Sequence, residues 1–161
     1  MYSYMEVFGF RGPDVRFSFL SHLRYALDCD GICAYFDSED LRRGDNITGS
    51  LKEAIRNSTI AIVILSENYA ASSWCLDELS EIIDSWKQGN LAVKPIFYRV
   101  EPREVRTPRR SVADALAAHE LIVGKDSAKL RRWREALSEV GNLSGYHVDV
   151  TRYKHSSCFR P

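Results

Sequence analysis

Five short apolar segments lie along the chain at intervals that leave room for helices between them. They are residues 5–10, 32–36, 59–65 and 91–98, with a weaker segment at 145–150. Their apolar positions, rich in Val, Ile, Phe and Tyr, are nearly continuous instead of alternating with polar ones, which is typical of strands covered on both faces. We therefore predict five strands of a buried sheet.

Between these segments, apolar residues recur at the spacing of amphipathic helices. The first three stripes are Phe17, Leu20, Leu23 and Leu27; Ile47, Leu51, Ala54 and Ile55; and Cys75, Leu79, Ile82, Ile83 and Trp86. Two more helices follow Pro108, and the last has a stripe of Leu130, Trp133, Leu137 and Val140. Regular alternation of strand and helix indicates an α/β fold, in which right-handed crossovers place helices on both faces of an open parallel sheet.

The predicted fold directs attention to the loops that follow the strands, because ligands bind beyond the carboxyl ends of the strands in open parallel sheets. Those loops are residues 11–16, 37–50, 66–74 and 99–110. We assign residues 1–150 to one domain. Residues 151–161 have no periodicity and are predicted to form a tail.

Composition narrows the classes of partner. Of 161 residues, 22 are basic and 22 are acidic, so no net field draws the protein to nucleic acid or to an anionic membrane. No apolar run is long enough to span a bilayer, and the first residues lack the features of a signal peptide. We expect a cytoplasmic location, with the nucleus as an alternative. The four cysteines form no C-x-x-C pair and the four histidines are scattered, so we expect no metal site.

Common catalytic motifs are missing from the sequence. It contains no G-x-G-x-x-G, no P-loop and no G-x-S-x-G elbow. Carboxylate chemistry and binding remain as the hypotheses to test.

The third helix carries the best candidate carboxylate. On a wheel of about 100° per residue, Asp77 and Glu81 point to solvent, whereas Glu78 lies on the border between core and water. Trp74 lies one turn earlier on the same edge. Helix capping is the alternative explanation, because acidic residues in the first turns after a serine N-cap are favoured by the helix dipole.

Five stretches, in order along the chain, resemble motifs of the plant TIR (Toll/interleukin-1 receptor-like) domain. They are EVFGFRGPDVR, FLSHLRYAL, SENYAASSWCLDEL, PIFYRVEPREVR and WREALSEVGNLSG. The resemblance implies a flavodoxin-like three-layer fold with a five-stranded parallel sheet. It also implies hydrolysis of NAD⁺, with NADP⁺ as an alternative substrate, to nicotinamide and ADP-ribose or cyclic ADP-ribose in plant immune and cell-death signalling.

The same resemblance implies roles for individual residues. It places the catalytic role on Glu78 and substrate contacts on Trp74, Arg11 and Arg16. In this interpretation NAD⁺ is a substrate and no cofactor is bound. Without the resemblance, the two arginines are equally explained as solvated loop charges.

Self-association is a second implication of the resemblance. The first helix, around Ser21 and His22, is part of one family association surface, so other TIR domains are expected partners.

Two features depart from the family pattern. The first strand is one residue short, with Gly9 where leucine and serine are expected, and this predicts a bulge or a shift of its side chains. The chain after residue 150 lacks the apolar stripe of the family's last helix. These departures support an alternative function: a non-catalytic adaptor or decoy that acts through contacts between TIR domains.

Overall fold

The computed structural model describes residues 6–11, 19–31, 34–36 and 49–148. The strands are β1 (Glu6–Phe10), β2 (Ala34–Phe36), β3 (Ile60–Leu65), β4 (Ala92–Tyr98) and β5 (Tyr146–Val148). The helices are α1 (Ser21–Cys29), α2 (Gly49–Asn57), α3 (Ser73–Lys87), α4 (Pro102–Arg106), α5 (Arg110–Val123) and α6 (Ala128–Asn142), and a 3-10 helix covers Tyr69–Ala71.

All strand pairs are parallel, in the order β2-β1-β3-β4-β5. This is the doubly wound, flavodoxin-like order, in which the direction of winding reverses between β1 and β3 and leaves a crevice at their carboxyl ends. The prediction of an α/β fold with a parallel sheet and flanking helices is confirmed. The order of the strands also gives the position of that crevice, which the carboxyl ends of β1 and β3 border.

Of the two outcomes predicted for the first strand, a bulge or a shift of its side chains, the bulge is wrong. β1 pairs with β3 residue for residue from Glu6 opposite Ile60 to Phe10 opposite Ile64, and Gly9 lies opposite Val63. The strand therefore keeps its register at the glycine and lacks only a side chain there.

Side chains of β3 alternate between two cores on opposite faces of the sheet. Val63 and Leu65 join the larger core, which also contains the buried stripes of α3 and α6. Ile64 points the other way and packs with Leu20, immediately before α1, and with Tyr98. Helix α3 is thus enclosed between the sheet and α6, while α1 covers the opposite face.

Two short helices were not predicted, because each has too few residues to show periodicity. The helix α4 has a local signal that was overlooked: Pro102 occupies its first turn, and the backbone N–H of Glu101 donates to Glu104 Oε2 at 3.3 Å, as in a capping box. The 3-10 helix lies in the loop between β3 and α3.

Within the described ranges, no helix has the length and apolarity needed to cross a membrane. The predicted tail, residues 151–161, lies outside the described residues, as does the interpretation that the last helix of the family is absent.

Candidate functional site

Helix α3 begins with a serine cap, as predicted. The hydroxyl of Ser72 accepts a hydrogen bond from the backbone N–H of Cys75 at 3.2 Å, and Ser72 itself has extended backbone angles. Such a cap satisfies one of the exposed N–H groups of the first turn. It fixes the point at which α3 leaves the loop after β3 and hence the direction in which its side chains point.

Glu78 lies in the second turn of α3 and is buried, with 2% of its surface exposed. A Cβ atom placed on Gly9 would lie 3.5 Å from both Cδ and Oε1 of Glu78. The carboxyl group therefore packs against the backbone of β1, at a position where no side chain intervenes. The helical wheel placed Glu78 only at the border of the core; it is more deeply buried because Gly9 leaves room for it.

Tyr69 of the 3-10 helix is a site residue that sequence reasoning missed. It is 2% exposed, and its hydroxyl donates to the carbonyl oxygen of Cys75 at 3.1 Å. Burial raises the pKa of Tyr69 well above its usual value of 10.0, and the charges of Cys75 and Glu78 raise it further. The phenol thus joins the loop after β3 to the first turn of α3, the helix that carries Glu78. The sequence signal that could have identified it is an aromatic residue three positions before Ser72, the N-cap of α3.

The two other acidic residues of this segment do not point freely to solvent, which corrects the wheel. Asp77 Oδ1 accepts a hydrogen bond from Trp133 Nε1 at 2.8 Å, and Asp77 Oδ2 lies 3.1 Å from Lys129 Nζ. Glu81 Oε1 lies 3.0 Å from Arg132 Nη2. Both carboxylates bind α6, because that helix packs along the side of α3 that the wheel assigned to water. They have structural partners, whereas the glutamate between them faces the sheet.

The 3-10 helix that carries Tyr69 also contacts α5. His119 Nε2 of α5 lies 2.9 Å from the carbonyl oxygen of Ala70, and the His119 ring stands edge-on to Trp133 with centroids 5.0 Å apart. The 3-10 helix is therefore fixed between α3 and α5, which limits movement of the site.

Of the remaining predicted site residues, two lie near Glu78 or the carboxyl edge of the sheet, and one lies outside the described residues. Trp74 is half-buried, packs against the larger core and lies one turn before Glu78 on α3. Arg11 is half-buried directly after β1, at the carboxyl edge of the sheet. Arg16 lies outside the described residues.

Ser21 and His22 are exposed in the first turn of α1, across the sheet from α3. The structure therefore does not bring them together with Glu78, and they stay candidates for a separate surface.

A small cleft lies at the same carboxyl edge, between β3 and β4. It has a volume of about 130 Å³ and is lined by Ser66, Glu67, Asn68, Tyr98 and Arg99. The Arg99 guanidinium lies 5.4 Å above the centre of the Tyr98 ring, and Arg99 has a φ of 56°, a value that residues other than glycine seldom adopt. Four of its lining residues belong to the loops 66–74 and 99–110, to which the predicted fold had directed attention.

The arrangement at Glu78 suits the stabilisation of positive charge. A buried carboxylate held by its helix and by neighbouring side chains loses little energy to reorganisation when charge develops beside it. An indole on the same helical edge offers a surface on which an aromatic ring can stack.

Comparison with known proteins places the chain in a family. Residues 2–157 match the TIR domain family. The chain is 44% identical over 152 residues to the disease resistance protein RPV1 of Vitis rotundifolia, covering 94% of this chain and 11% of that protein. It is 43% identical over 144 residues to the TMV resistance protein N of Nicotiana glutinosa, covering 89% of this chain and 13% of that protein.

Comparison with solved structures indicates the same family. The TIR domains in the structure of the activated Roq1 resistosome, which recognises the pathogen effector XopQ, superpose with a TM-score of 0.85 at 40% identity. The match covers 93% of this chain and 90% of that one. The chain spans a small part of the resistance proteins it matches, and that part is the TIR domain. The chain belongs to the TIR domain family, and its relatives are plant disease resistance proteins.

Proposed function

We propose that the chain is an NAD⁺ glycohydrolase that releases nicotinamide and ADP-ribose, or a cyclic form of ADP-ribose. The observation that carries the proposal is the buried carboxyl group of Glu78, held against Gly9 on β1. It lies beside the crevice between β1 and β3, where open parallel sheets bind their ligands.

One carboxylate is enough for this chemistry. Many glycosidases need a second acid to protonate the leaving oxygen. In NAD⁺ the nicotinamide nitrogen is positively charged and takes the electron pair of the broken C–N bond, so it leaves as a neutral ring. Positive charge then develops on the ribose, and the Glu78 carboxylate stabilises it. Water adds to the ribose carbon and loses a proton, which gives ADP-ribose; attack by the adenine gives the cyclic product.

The other proposed contacts follow from position. Trp74 stacks on a ring of the dinucleotide from the same edge of α3. Arg11, at the carboxyl edge of β1, and Arg16, five residues further along the sequence, bind phosphate. NAD⁺ is a substrate in this proposal, with no separate cofactor, and NADP⁺ is an alternative.

Self-association is proposed as the activating step. The relatives are resistance proteins, and the similar Roq1 TIR domains come from an activated resistosome. Ser21 and His22 are exposed on α1 and available for contact with a second TIR domain. The proposed setting is cytoplasmic immune and cell-death signalling in a plant.

Mass spectrometry of products from NAD⁺ tests the enzyme. Glu78→Gln keeps the shape of the side chain and removes its charge, so we expect nicotinamide release to fall by about 100-fold or more. Glu81→Gln is the matched control, because it makes the same chemical change one turn later on a residue that binds α6, and its activity should stay near that of the unaltered protein. A folded protein that releases no nicotinamide at high concentration rules the enzyme out.

A non-catalytic adaptor is the second candidate, favoured by the exposure of Ser21 and His22 on a face remote from Glu78. Expression in plant leaf separates the two functions. Cell death should be lost with Glu78→Gln if the chain acts as an enzyme and retained if it acts as an adaptor.

A further inference from the structure

The cleft between β3 and β4 places opposite charges on one small cavity. Glu67 and Arg99 both line it and both are exposed. Neither side chain makes an ion pair with any residue in the described part of the chain, and they do not pair with each other. Two opposite charges therefore border the same space without neutralising one another.

The backbone holds Arg99 in this place. Its φ of 56° is costly for a residue with a Cβ, and such conformations gather at functional sites. Its N–H donates to the carbonyl oxygen of Val148 at 3.1 Å, which ties the residue to β5. The guanidinium is carried over the ring of Tyr98, which is 8% exposed and forms a wall of the cleft.

The cleft lies within reach of Glu78. Ser66 is three residues beyond Val63, about 10 Å along β3, and Val63 is the β3 partner of Gly9; Tyr98 lies on β4, two strands from Gly9, about 10 Å across the sheet. Tyr98 faces the α1 side of the sheet and Glu78 faces the α3 side, so the two positions communicate over the carboxyl edge. In the plane of the sheet the carboxyl group of Glu78 and the cleft are therefore roughly 15 Å apart, a separation that an extended dinucleotide lying over the carboxyl edge can bridge. A volume of about 130 Å³ is too small for a whole dinucleotide but suits one of its groups.

We propose that the cleft binds the ribose phosphate of the adenylate half of NAD⁺, the half that keeps its glycosidic bond. This inference rests on the proposed function and adds the place of the remote half of the substrate. Arg99 binds the phosphate, because a guanidinium is well suited to phosphate oxygens. Glu67 accepts hydrogen bonds from the ribose hydroxyls, as acidic residues do in other dinucleotide sites, and its charge repels the additional 2′-phosphate of NADP⁺.

Direct binding tests the cleft without turnover. ADP-ribose is titrated by calorimetry into the unaltered protein and into Arg99→Gln, with Arg103→Gln as the control, because Arg103 is an exposed arginine nearby that binds Glu101 and does not line the cleft. We expect Arg99→Gln to weaken binding about tenfold or more and Arg103→Gln to leave it unchanged. Arg99→Gly provides a second variant in which the positive φ is relaxed, so weaker binding should accompany an unchanged or higher Tm.

Selectivity provides an independent measurement. Glu67→Gln should reduce the preference for NAD⁺ over NADP⁺ about tenfold, while Glu53→Gln, an exposed glutamate on α2, should leave it unchanged. Arg99→Gln should raise KM for NAD⁺ at constant kcat and leave the cleavage of nicotinamide mononucleotide, which lacks the adenylate half, unaffected.

The outcomes distinguish this inference from the proposed function. Equal effects of the cleft and control variants, or no binding of ADP-ribose at millimolar concentration, overturn the inference even if nicotinamide is released. Loss of ADP-ribose binding in Arg99→Gln supports the cleft even if no nicotinamide is released, in which case the proposed function fails alone.

Discussion

Replacing Tyr69 with phenylalanine tests how Glu78 is held in place. The change removes one hydroxyl, the donor to the Cys75 carbonyl oxygen at 3.1 Å, and keeps the ring that fills the core. Cys75 lies in the first turn of α3 and Glu78 in the second, so the lost hydrogen bond loosens the attachment of the helix start to the loop after β3. We expect kcat for nicotinamide release to fall about tenfold, because a small displacement of a reacting group is costly.

Loss of the hydrogen bond between Tyr69 and Cys75 should also lower the stability of Tyr69→Phe. A hydrogen bond of this kind contributes about 1 kcal/mol net, which lowers Tm by about 2–4 °C in a domain of this size. Ser80→Ala is the matched control: Ser80 is 1% exposed, and its hydroxyl donates to the Leu76 carbonyl oxygen at 2.8 Å further along α3. It should show a similar or smaller loss of Tm.

Steady-state kinetics at 25 °C, well below either Tm, separates the two variants. Tyr69→Phe should lose kcat with KM for NAD⁺ nearly unchanged, and Ser80→Ala should keep both. If the two variants lose kcat equally, or neither loses it, Tyr69 does not position Glu78, and the contact serves only stability.

Three further predictions concern other contacts of the site and fold. Gly9→Ala should fold, because its Cβ would be at ordinary contact distance from Glu78. The methyl group would occupy the space beside the carboxyl group and restrict its movement, so nicotinamide release should fall while circular dichroism stays unchanged. Above pH 10 the unfolded chain loses the phenolic proton of Tyr69 while the folded chain retains it, so the free energy of unfolding should fall by up to about 1.4 kcal/mol per pH unit from this group. In urea titrations the free energy of unfolding of Tyr69→Phe should fall less with rising pH than that of the unaltered protein. An equal fall contradicts a raised pKa of Tyr69. Gly145→Ala would push a Cβ into the carbonyl oxygen of Pro95 beside β5, so thermal melting should report a loss of about 1–3 kcal/mol, and an unchanged Tm would exclude that close approach.

The sequence predicted the strands and long helices because their apolar positions follow simple periods. The wheel also distinguished Glu78 from Asp77 and Glu81 correctly, since only Glu78 lies near the core stripe. Its depth of burial could not be predicted, because that depends on Gly9, a residue 69 positions earlier that meets α3 only after the sheet forms.

The partners of the outer carboxylates escaped prediction for the same reason. Asp77 and Glu81 bind α6, which begins some fifty residues later, and a wheel contains no information about a neighbouring helix. The loops that form the cleft at Arg99 were predicted, but the cleft itself was not, because it joins the ends of two strands through an unusual backbone angle. Local pattern thus predicted the elements, while contacts distant in sequence determined the details of the site.

The packing of α6 on α3 sets a limit on how far the chain can be shortened. Trp133, Leu137 and Val140 of α6 are buried in the same core as Leu79 and Ile82 of α3. A proteolytic fragment that ends before α6 would retain every proposed catalytic residue and yet leave the larger core, to which both α3 and α6 contribute, open to water. Such a fragment should aggregate, and adding α6 as a separate peptide is the natural way to restore its solubility.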